Sequence, residues 1–172
     1  MTLSQQVQIF LKQQLKENHL KRKYFVQKSG IPPSTVGKLI KAEYRNIGLK
    51  TLLCIANYFK CSIDRVVCRI SYVLPHEEKQ EFFNISIDDV NANLRHFLCR
   101  KLKEQNLNPY KLAKKCGFSE TAIFNFIKEN NNAKKSLGSA VTIALADYFQ
   151  ISLDEMVGRI NPTTSDNDKP SQ

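Results

Sequence analysis

The apolar residues at the start of the chain recur at helical spacing. They fall at i, i+4, i+7, i+8 and i+12, which is one face of a helix: Leu3, Val7, Phe10, Leu11 and Leu15. Thr2 and Gln5 are spaced as in a capping box, where each side chain bonds the backbone N–H of the other at a helix start. The pattern predicts a first helix over residues 3–17.

Four shorter helices are predicted between that helix and residue 69. Their expected positions are 22–29, a third helix opened by Ile31-Pro32-Pro33, and then Leu49–Phe59 and Ile63–Arg69. Gly30 would end the second helix, because glycine adopts the left-handed backbone of a C-cap without strain. Proline suits the first turn of the third helix, where its missing N–H has no helical partner. A loop at 42–48 follows.

The chain contains this pattern twice. A shift of 87 residues places Leu15-Lys16-Glu17 on Leu102-Lys103-Glu104, with 10 identities in 39 positions. Beyond residue 46 a shift of 90 places Ser62-x-Asp64 on Ser152-x-Asp154, with 9 identities in 25 positions. The change of shift puts three extra residues near Asn130–Lys135, which indicates a loop there. The repeat predicts five more helices, at 88–104, 109–116, 120–129, 139–149 and 153–159.

We therefore predict an all-α fold of two tandem five-helix domains, at 1–70 and 88–160. The linker, 71–87, carries two apolar groups, Tyr72-Val73-Leu74 and Phe82-Phe83-x-Ile85. These groups would either form a short hairpin or pack on one of the domains, and the sequence leaves both open. The tail, 161–172, has too few apolar side chains to order itself, so we expect it to be disordered.

The distribution of charge favours a polyanionic partner. The formal net charge is +10, and residues 1–70 alone hold 13 Lys and Arg against 3 acidic residues. Residues 71–89 hold five acidic residues and one Lys. A cationic first repeat of this kind is typical of a nucleic-acid-binding surface.

Other chemistry is not indicated. The five cysteines include no C-x-x-C pair, and the three histidines lie far apart, so we expect free thiols and no metal site. No nucleophile–base motif or phosphate-binding loop appears, so we expect neither enzyme activity nor a cofactor. No run of 18 apolar residues occurs, so we expect no membrane span and a cytoplasmic, nucleoid-associated protein.

Two stretches carry a family resemblance. They are LKRKYFVQKSGIPPSTVGKLIK at Leu20–Lys41 and LNPYKLAKKCGFSETAIFNFIK at Leu107–Lys128. With the endings Ala56-x-Tyr58-Phe59 and Ala146-x-Tyr148-Phe149, each resembles the lambda-repressor/Cro-like, or XRE, helix-turn-helix family. The resemblance covers about 140 of the 172 residues. In both copies, Leu15 with Ile40 and Leu102 with Ile127 stand where the family often has an Arg–Glu ion pair.

The resemblance implies that the third helix of each copy enters the major groove of DNA. In the first copy its outward residues are Pro33, Ser34, Gly37, Lys38 and Lys41. Lys38 would donate to guanine. The phosphate contacts are expected from the start of the second helix and from the loop after the third: Lys21, Arg22, Lys23, Tyr44, Arg45 and Asn46.

In the second copy the resemblance implies a different set of DNA contacts. The candidates are Ser119, Thr121, Asn125 and Lys128, with Asn131, Lys134 and Lys135 in the longer loop. Asn125 would bind adenine through paired hydrogen bonds. Glu120, the exposed Phe124 and Pro109 in place of Arg22 argue against DNA contact by this copy.

Three functional hypotheses remain open. In the first, the chain is a sequence-specific regulator of bacterial or phage type that binds double-stranded DNA, with repression as the expected outcome. The extended 19-residue segment 71–89 would span about 60 Å, so both copies could bind one operator with unlike half-sites. In the second hypothesis only the first copy binds DNA, and the second mediates homodimerisation or binds a regulatory protein partner. In the third, the chain is an interaction protein, such as an antitoxin, that uses the helix-turn-helix scaffold without reading sequence.

Overall fold

Ten α-helices and two short 3-10 helices make up the computed structural model, which describes residues 1–73, 76–128 and 135–161. In the N-terminal half (1–73) they are α1 (Leu3–Glu17), α2 (Arg22–Ser29), α3 (Pro33–Ile40), α4 (Leu49–Phe59), α5 (Ile63–Val66) and a 3-10 helix at Ile70–Tyr72. In the linker (76–85) a 3-10 helix spans Glu77–Lys79. In the C-terminal half (86–161) they are α6 (Ile87–Glu104), α7 (Pro109–Lys115), α8 (Thr121–Ile127), α9 (Ser139–Phe149) and α10 (Leu153–Val157). The described residues contain no strand, and none of their helices is long and apolar enough to cross a membrane.

Polar caps set the starts of the long helices. The predicted capping box of Thr2 and Gln5 is confirmed at α1. A second one, from Ser86 and Asp89, starts α6 at Ile87, one residue before the predicted start. The hydrogen bonds from Ser86 hold the pKa of Asp89 below its usual range. Both long helices therefore begin with a capping box.

The last helix of each half is shorter than predicted. Instead of running to residues 69 and 159, α5 ends at Val66 and α10 at Val157. Cys68 and Gly158 adopt left-handed backbone, with φ of 58° and 80°, which an α-helix does not continue. The turn directs the next residue, an arginine in each half, back toward its own helix.

Each half has its own aromatic core, built at corresponding positions. In the N-terminal half Phe10 meets Phe59 edge-on, with ring centroids 5.7 Å apart. In the C-terminal half the corresponding Phe97 meets Phe149 edge-on at 5.4 Å. Edge-to-face pairing at this separation is the favoured geometry for aromatic rings. The core thus has the same framework on both sides of the molecule.

A hydrogen bond from the first helix ties down the third helix in each half. Gln8 Nε2 donates to the carbonyl of Ile40 at 2.7 Å, and Arg95 Nε donates to the carbonyl of Phe126 at 2.9 Å. Gln8 and Arg95 correspond under the 87-residue shift. Ile40 and Ile127, at the sites of the absent ion pair, pack against the core instead.

The two halves join through reciprocal hydrogen bonds. Asp64 Oδ2 accepts from the backbone N–H of Leu153 at 2.7 Å, and Asp154 Oδ2 accepts from the backbone N–H of Ile63, also at 2.7 Å. Each carboxylate therefore satisfies the otherwise unpaired first N–H of the other half's last helix. When residue i contacts j, and the equivalent of j contacts the equivalent of i, the interface is isologous.

Two arginines complete the junction on both sides. Arg69 forms an ion pair with Asp64, and Arg159 forms one with Asp154. Each arginine also donates across the junction at 3.2 Å, Arg69 to the carbonyl of Ile151 and Arg159 to that of Cys61. In each contact the residues that correspond differ by 90 in number, so the hydrogen bonds of the junction are reciprocal and the junction itself is approximately two-fold.

The described residues of the linker pack over this junction and contain no strand, so among them the packed alternative is the one observed. The buried carboxylate of Glu77 accepts from the backbone N–H of Ser62 at 2.7 Å and from Arg65 at 3.0 Å. Further along, the N–H of Phe83 donates to the carbonyl of Arg159 at 2.7 Å. These groups bond to the two halves rather than to each other, because the halves offer unpaired partners at the junction.

Aromatic rings of the flanking segments cover the junction arginines. The guanidinium of Arg69 lies 4.0 Å from the ring centroid of Tyr72, and that of Arg159 lies 4.9 Å from the ring centroid of Phe82. Side-chain exposure falls to 9% for Arg69 and 0% for Arg159. The paired charges are thus shielded from water, and their electrostatic interaction is stronger because the surrounding dielectric is lower.

Candidate nucleic-acid interface

A tight turn positions α3 in the N-terminal half. Gly30 ends α2 with φ of 69°, as the sequence predicts, and Pro32-Pro33 starts α3. Val36 and Leu39 are fully buried against the core, whereas Pro33, Ser34 and Lys38 are exposed on the opposite face. The outward face of α3 therefore consists of the predicted base-contacting residues.

Exposed polar side chains flank this face on two sides. Lys21 is the N-cap of α2, and Arg22 and Lys23 occupy its first turn. Beyond α3, exposed Lys41, Arg45 and Asn46 continue the cationic surface. Of the predicted phosphate contacts only Tyr44 is half-buried, where it packs against the core. Five cations and the amide of Asn46 thus surround the outward face of α3.

The side chain of Arg22 lies against α3. Its Nη2 donates to the carbonyl of Pro33 at 3.2 Å. A Cβ at Gly37 would stand 2.8 Å from the same nitrogen and 3.7 Å from Cζ. The guanidinium therefore occupies the space that any other residue at 37 would fill, and it lies on the outward face of the helix.

The corresponding face of the C-terminal half has another surface. Phe124 replaces Gly37, and its ring stacks on Tyr110 with centroids 5.0 Å apart. Both rings remain more than a third exposed. Glu120 pairs with Lys114 at 3.6 Å in the open, so its charge is partly balanced. This face is apolar and nearly neutral at its centre.

The predicted contacts of the second copy are only partly presented. Thr121 starts α8, and its hydroxyl lies 3.4 Å from that of Ser119, with both residues exposed. Asn125 and Lys128 are half-buried, and Lys135 is exposed. Asn131 and Lys134 lie outside the described residues. The tail beyond 161 also lies outside them.

A groove of about 470 Å³ separates the starts of α4 and α9. Residues 45–50 and 136–140 line its two sides, with Leu3 and Ile87. The hydroxyl of Ser139 donates across it to the carbonyl of Ile47. The exposed cations Arg45 and Lys50 stand at this groove on the N-terminal side, which extends the cationic surface toward the other half.

Sequence reasoning missed the residues that hold the two halves together. Burial raises the pKa of Asp64 to about 7, although Arg69 acts to lower it. Burial likewise raises the pKa of Asp154, against the effect of Arg159. Their signal in the sequence is the exact recurrence of Asp64 and Arg69 at 154 and 159. A buried Asp–Arg pair that recurs at a fixed shift indicates a shared structural role.

The five cysteines are free thiols. Cys61 is buried at the junction, and burial raises the pKa of its thiol to about 12. A thiol with that pKa is neutral and inert at physiological pH. Among residues 1–73, 76–128 and 135–161, no three His, Cys, Asp or Glu side chains are placed to hold a metal ion.

Comparison with known proteins agrees with this geometry. Residues 11–64 match the Cro/C1-type HTH DNA-binding domain. An uncharacterised HTH-type transcriptional regulator of Rickettsia prowazekii (strain Madrid E) is 39% identical over 72 residues, which are 40% of this chain and 78% of the relative. One of Rickettsia conorii (strain ATCC VR-613 / Malish 7) is 38% identical over 72 residues, 40% of this chain and 66% of the relative. No solved structure matches.

Both relatives match over about the length of one half of this chain. The matched family model spans the second part of α1, the helix-turn-helix and the start of α5. The turn at Gly30, the outward face of α3 and the cations around it all fall within these residues. The chain belongs to the Cro/C1-type helix-turn-helix family of DNA-binding proteins.

Proposed function

We propose that this chain is a sequence-specific transcriptional regulator, a repressor, in which two tandem helix-turn-helix domains act as one covalent pseudodimer. One chain then binds one bipartite operator, with α3 reading one half-site and α8 the other. Occupation of the operator is the expected means of repression. We expect the protein to act in the cytoplasm, on the nucleoid.

The reciprocal junction is the observation that carries this proposal. Proteins with this fold commonly bind DNA as two-fold dimers, with half-sites about one helical turn, roughly 34 Å, apart. Here Asp64 and Asp154 build an isologous interface within a single chain. A two-fold arrangement of the halves is what a two-fold duplex requires. The chain therefore supplies both subunits of such a dimer.

The unlike faces predict an operator with unlike half-sites. Lys38 of α3 is replaced by Asn125 in α8, and Gly37 by Phe124. Lysine favours guanine, whereas asparagine favours adenine. Two half-sites read by such different side chains differ in sequence.

Selection of bound duplexes from a random library tests the proposal. The full-length protein should enrich two unlike half-sites at one fixed spacing. Enrichment of a single half-site, or of a palindrome, would leave reading to the N-terminal half alone. The absence of any enrichment would contradict sequence-specific binding by either half.

Two single substitutions assign the half-sites. Lys38→Ala should weaken preference in one half-site, and Asn125→Ala in the other, each by about 1–3 kcal/mol of discrimination at one base pair. Each variant is the control for the other, because the unaltered half-site must keep its sequence. An Asn125→Ala protein with unchanged selection would show that α8 does not read bases.

A second function for the C-terminal half is favoured by one observation. The stacked rings of Tyr110 and Phe124 stay exposed, at 37% and 38%, where a base-reading surface is expected. Exposed aromatic pairs are typical of protein contacts. In this alternative the N-terminal halves of two chains read a palindrome, and the C-terminal half binds a second copy or a regulatory protein. Concentration-dependent dimerisation that Phe124→Ser abolishes would support it.

A further inference from the structure

We propose that Arg22 is a specificity-determining residue that reads guanine in the first half-site, and that Gly37 is its positioning residue. The sequence places Arg22 at the start of a helix, where a phosphate contact is expected. The structure instead directs its guanidinium along the outward face of α3. The inference rests on the proposed function, because it names a base that the N-terminal half would recognise.

A hydrogen bond fixes the direction of the Arg22 guanidinium. Nη2 donates to the carbonyl of Pro33 at 3.2 Å, in the first turn of α3. The side chain is nonetheless exposed, and a guanidinium carries five N–H donors. The hydrogen bond to Pro33 uses one of them. The planar fork therefore lies beside the end of α3 that the fold directs at base edges.

Gly37 provides the space that this position needs. An alanine Cβ would approach Nη2 to 2.8 Å, closer than real Cβ atoms come to a neighbour, so the flexible arginine would have to move. Gly37 has no positive φ, and it lies inside a helix, where glycine is unfavourable. Its absence of a side chain is thus explained by the arginine rather than by the backbone.

The C-terminal half lacks both members of this pair. Pro109 stands at the position of Arg22, and Phe124 at that of Gly37. There the ring of Tyr110 stacks on Phe124, with centroids 5.0 Å apart. Where the arginine is absent, an aromatic pair occupies the corresponding region. Only the first half-site is therefore expected to contain the guanine that Arg22 reads.

Guanine is the base that fits a held arginine. Its O6 and N7 accept two parallel hydrogen bonds from a guanidinium in the major groove, the commonest specific contact of proteins with DNA. A phosphate contact needs no such orientation, because it carries no sequence information. A guanidinium that is held against α3 is suited to guanine recognition.

The test compares the wild type with Gly37→Ala, Arg22→Ala and the double variant, by library selection and by affinity for the selected duplex. Both single variants should lose preference for one guanine in the first half-site and bind the selected duplex roughly tenfold to a hundredfold more weakly. The double variant should lose no more than Arg22→Ala alone, because both changes act on one contact. The second half-site should keep its sequence in all four proteins. Melting temperature checks that Gly37→Ala folds, and alanine favours the helix.

Three outcomes separate this inference from the proposed function. Unlike half-sites for the wild type and an unchanged first half-site for Gly37→Ala would overturn the inference alone. A uniform loss of affinity across sequences in Arg22→Ala would also overturn it, because that result marks a phosphate contact. A wild type that enriches no sequence would overturn the proposed function as well.

Discussion

The two halves are alike at the junction and differ on their outward helix faces. At the junction, Asp64 and Arg69 recur as Asp154 and Arg159, and their hydrogen bonds match in partner and length. On the faces, Gly37 corresponds to Phe124, and the pair Arg22–Gly37 has no counterpart. The halves therefore share the surface that joins them and differ on the surface that each presents outward.

This difference shows which requirement each surface meets. A two-fold junction works only if both sides supply matching groups, since every carboxylate must find the opposite N–H and every buried charge must be paired. An outward face has no such constraint from its partner half. It is free to suit a different base sequence, or a protein, on each side. Four predictions test the comparison.

The largest expected effect is the loss of a buried junction carboxylate. Asp154→Ala leaves the fully buried Arg159 without its carboxylate and the N–H of Ile63 without its acceptor. Breaking a buried pair on one side costs about 3–5 kcal/mol. Urea unfolding of the full chain measures the loss.

The matched control for that variant is Asp147→Ala. Asp147 also pairs with a junction arginine, Arg69, but its side chain is 57% exposed. An exposed pair contributes about 0–1 kcal/mol. Equal losses for Asp154→Ala and Asp147→Ala would mean that the junction is not the buried, charge-balanced interface described above.

The second prediction concerns the titration of Asp64. Because burial raises its pKa to about 7 from 3.8, the folded protein binds more protons than the unfolded chain between these pH values. Its contribution to the free energy of unfolding should therefore decline as the pH rises from 3.8 to about 7. Carboxyl ¹³C NMR of the full chain should place the midpoint of Asp64 near 7. A midpoint below 4 would show that Arg69 and the N–H of Leu153 outweigh burial.

The third prediction concerns the turns, which the halves share. Gly30 and Gly117 have φ of 69° and 79°, and no atom lies within 4 Å of a Cβ built on either. Alanine at either site should therefore cost only the left-handed backbone strain, roughly 1–2 kcal/mol, in thermal or urea unfolding. Gly48→Ala, also in open space but with φ of −72°, avoids that strain and should cost less than about 1 kcal/mol, as the change of an N-cap residue. Unequal costs at Gly30 and Gly117 would count against equivalent turns.

The smallest expected effect is on the salt dependence of DNA binding. Lys21→Ala and Lys23→Ala should each reduce the slope of log K against log salt concentration by about 1, with no change in the selected sequence. Exposed Lys103 on α6 lies outside the predicted contacts, so Lys103→Ala should leave the slope unchanged. A change of sequence preference in Lys21→Ala would assign that lysine to the bases instead.

Most helix positions could be predicted from the sequence, because local signals set them. Thr2 with Gln5 and the glycine at position 30 mark ends that depend only on neighbouring residues. The predicted ends of α5 and α10 were wrong, since Cys68 and Gly158 adopt left-handed backbone that turns the chain toward the junction. The outward residues of α3 were identified because periodicity separates them from buried Val36 and Leu39.

The junction and the position of Arg22 could not be predicted in the same way. The hydrogen bond from Ile63 to Asp154 joins residues 91 positions apart, and periodicity carries no information at that distance. The conformation of the linker could not be predicted, because an apolar Phe82 suits a hairpin and a packed segment equally well. In the structure its ring lies over Arg159. Arg22 could bind phosphate or base until the contact with Pro33 fixed its direction.

The most direct test of the pseudodimer is the number of chains on one operator. Native mass spectrometry of the full-length protein with the selected bipartite duplex should give one chain per duplex, and footprinting of the same complex should show both half-sites protected. Asn125→Ala should retain one chain per duplex, with weaker protection of one half-site and unchanged protection of the other. Two chains per duplex, each protecting a half-site through its N-terminal half, would contradict binding as a pseudodimer.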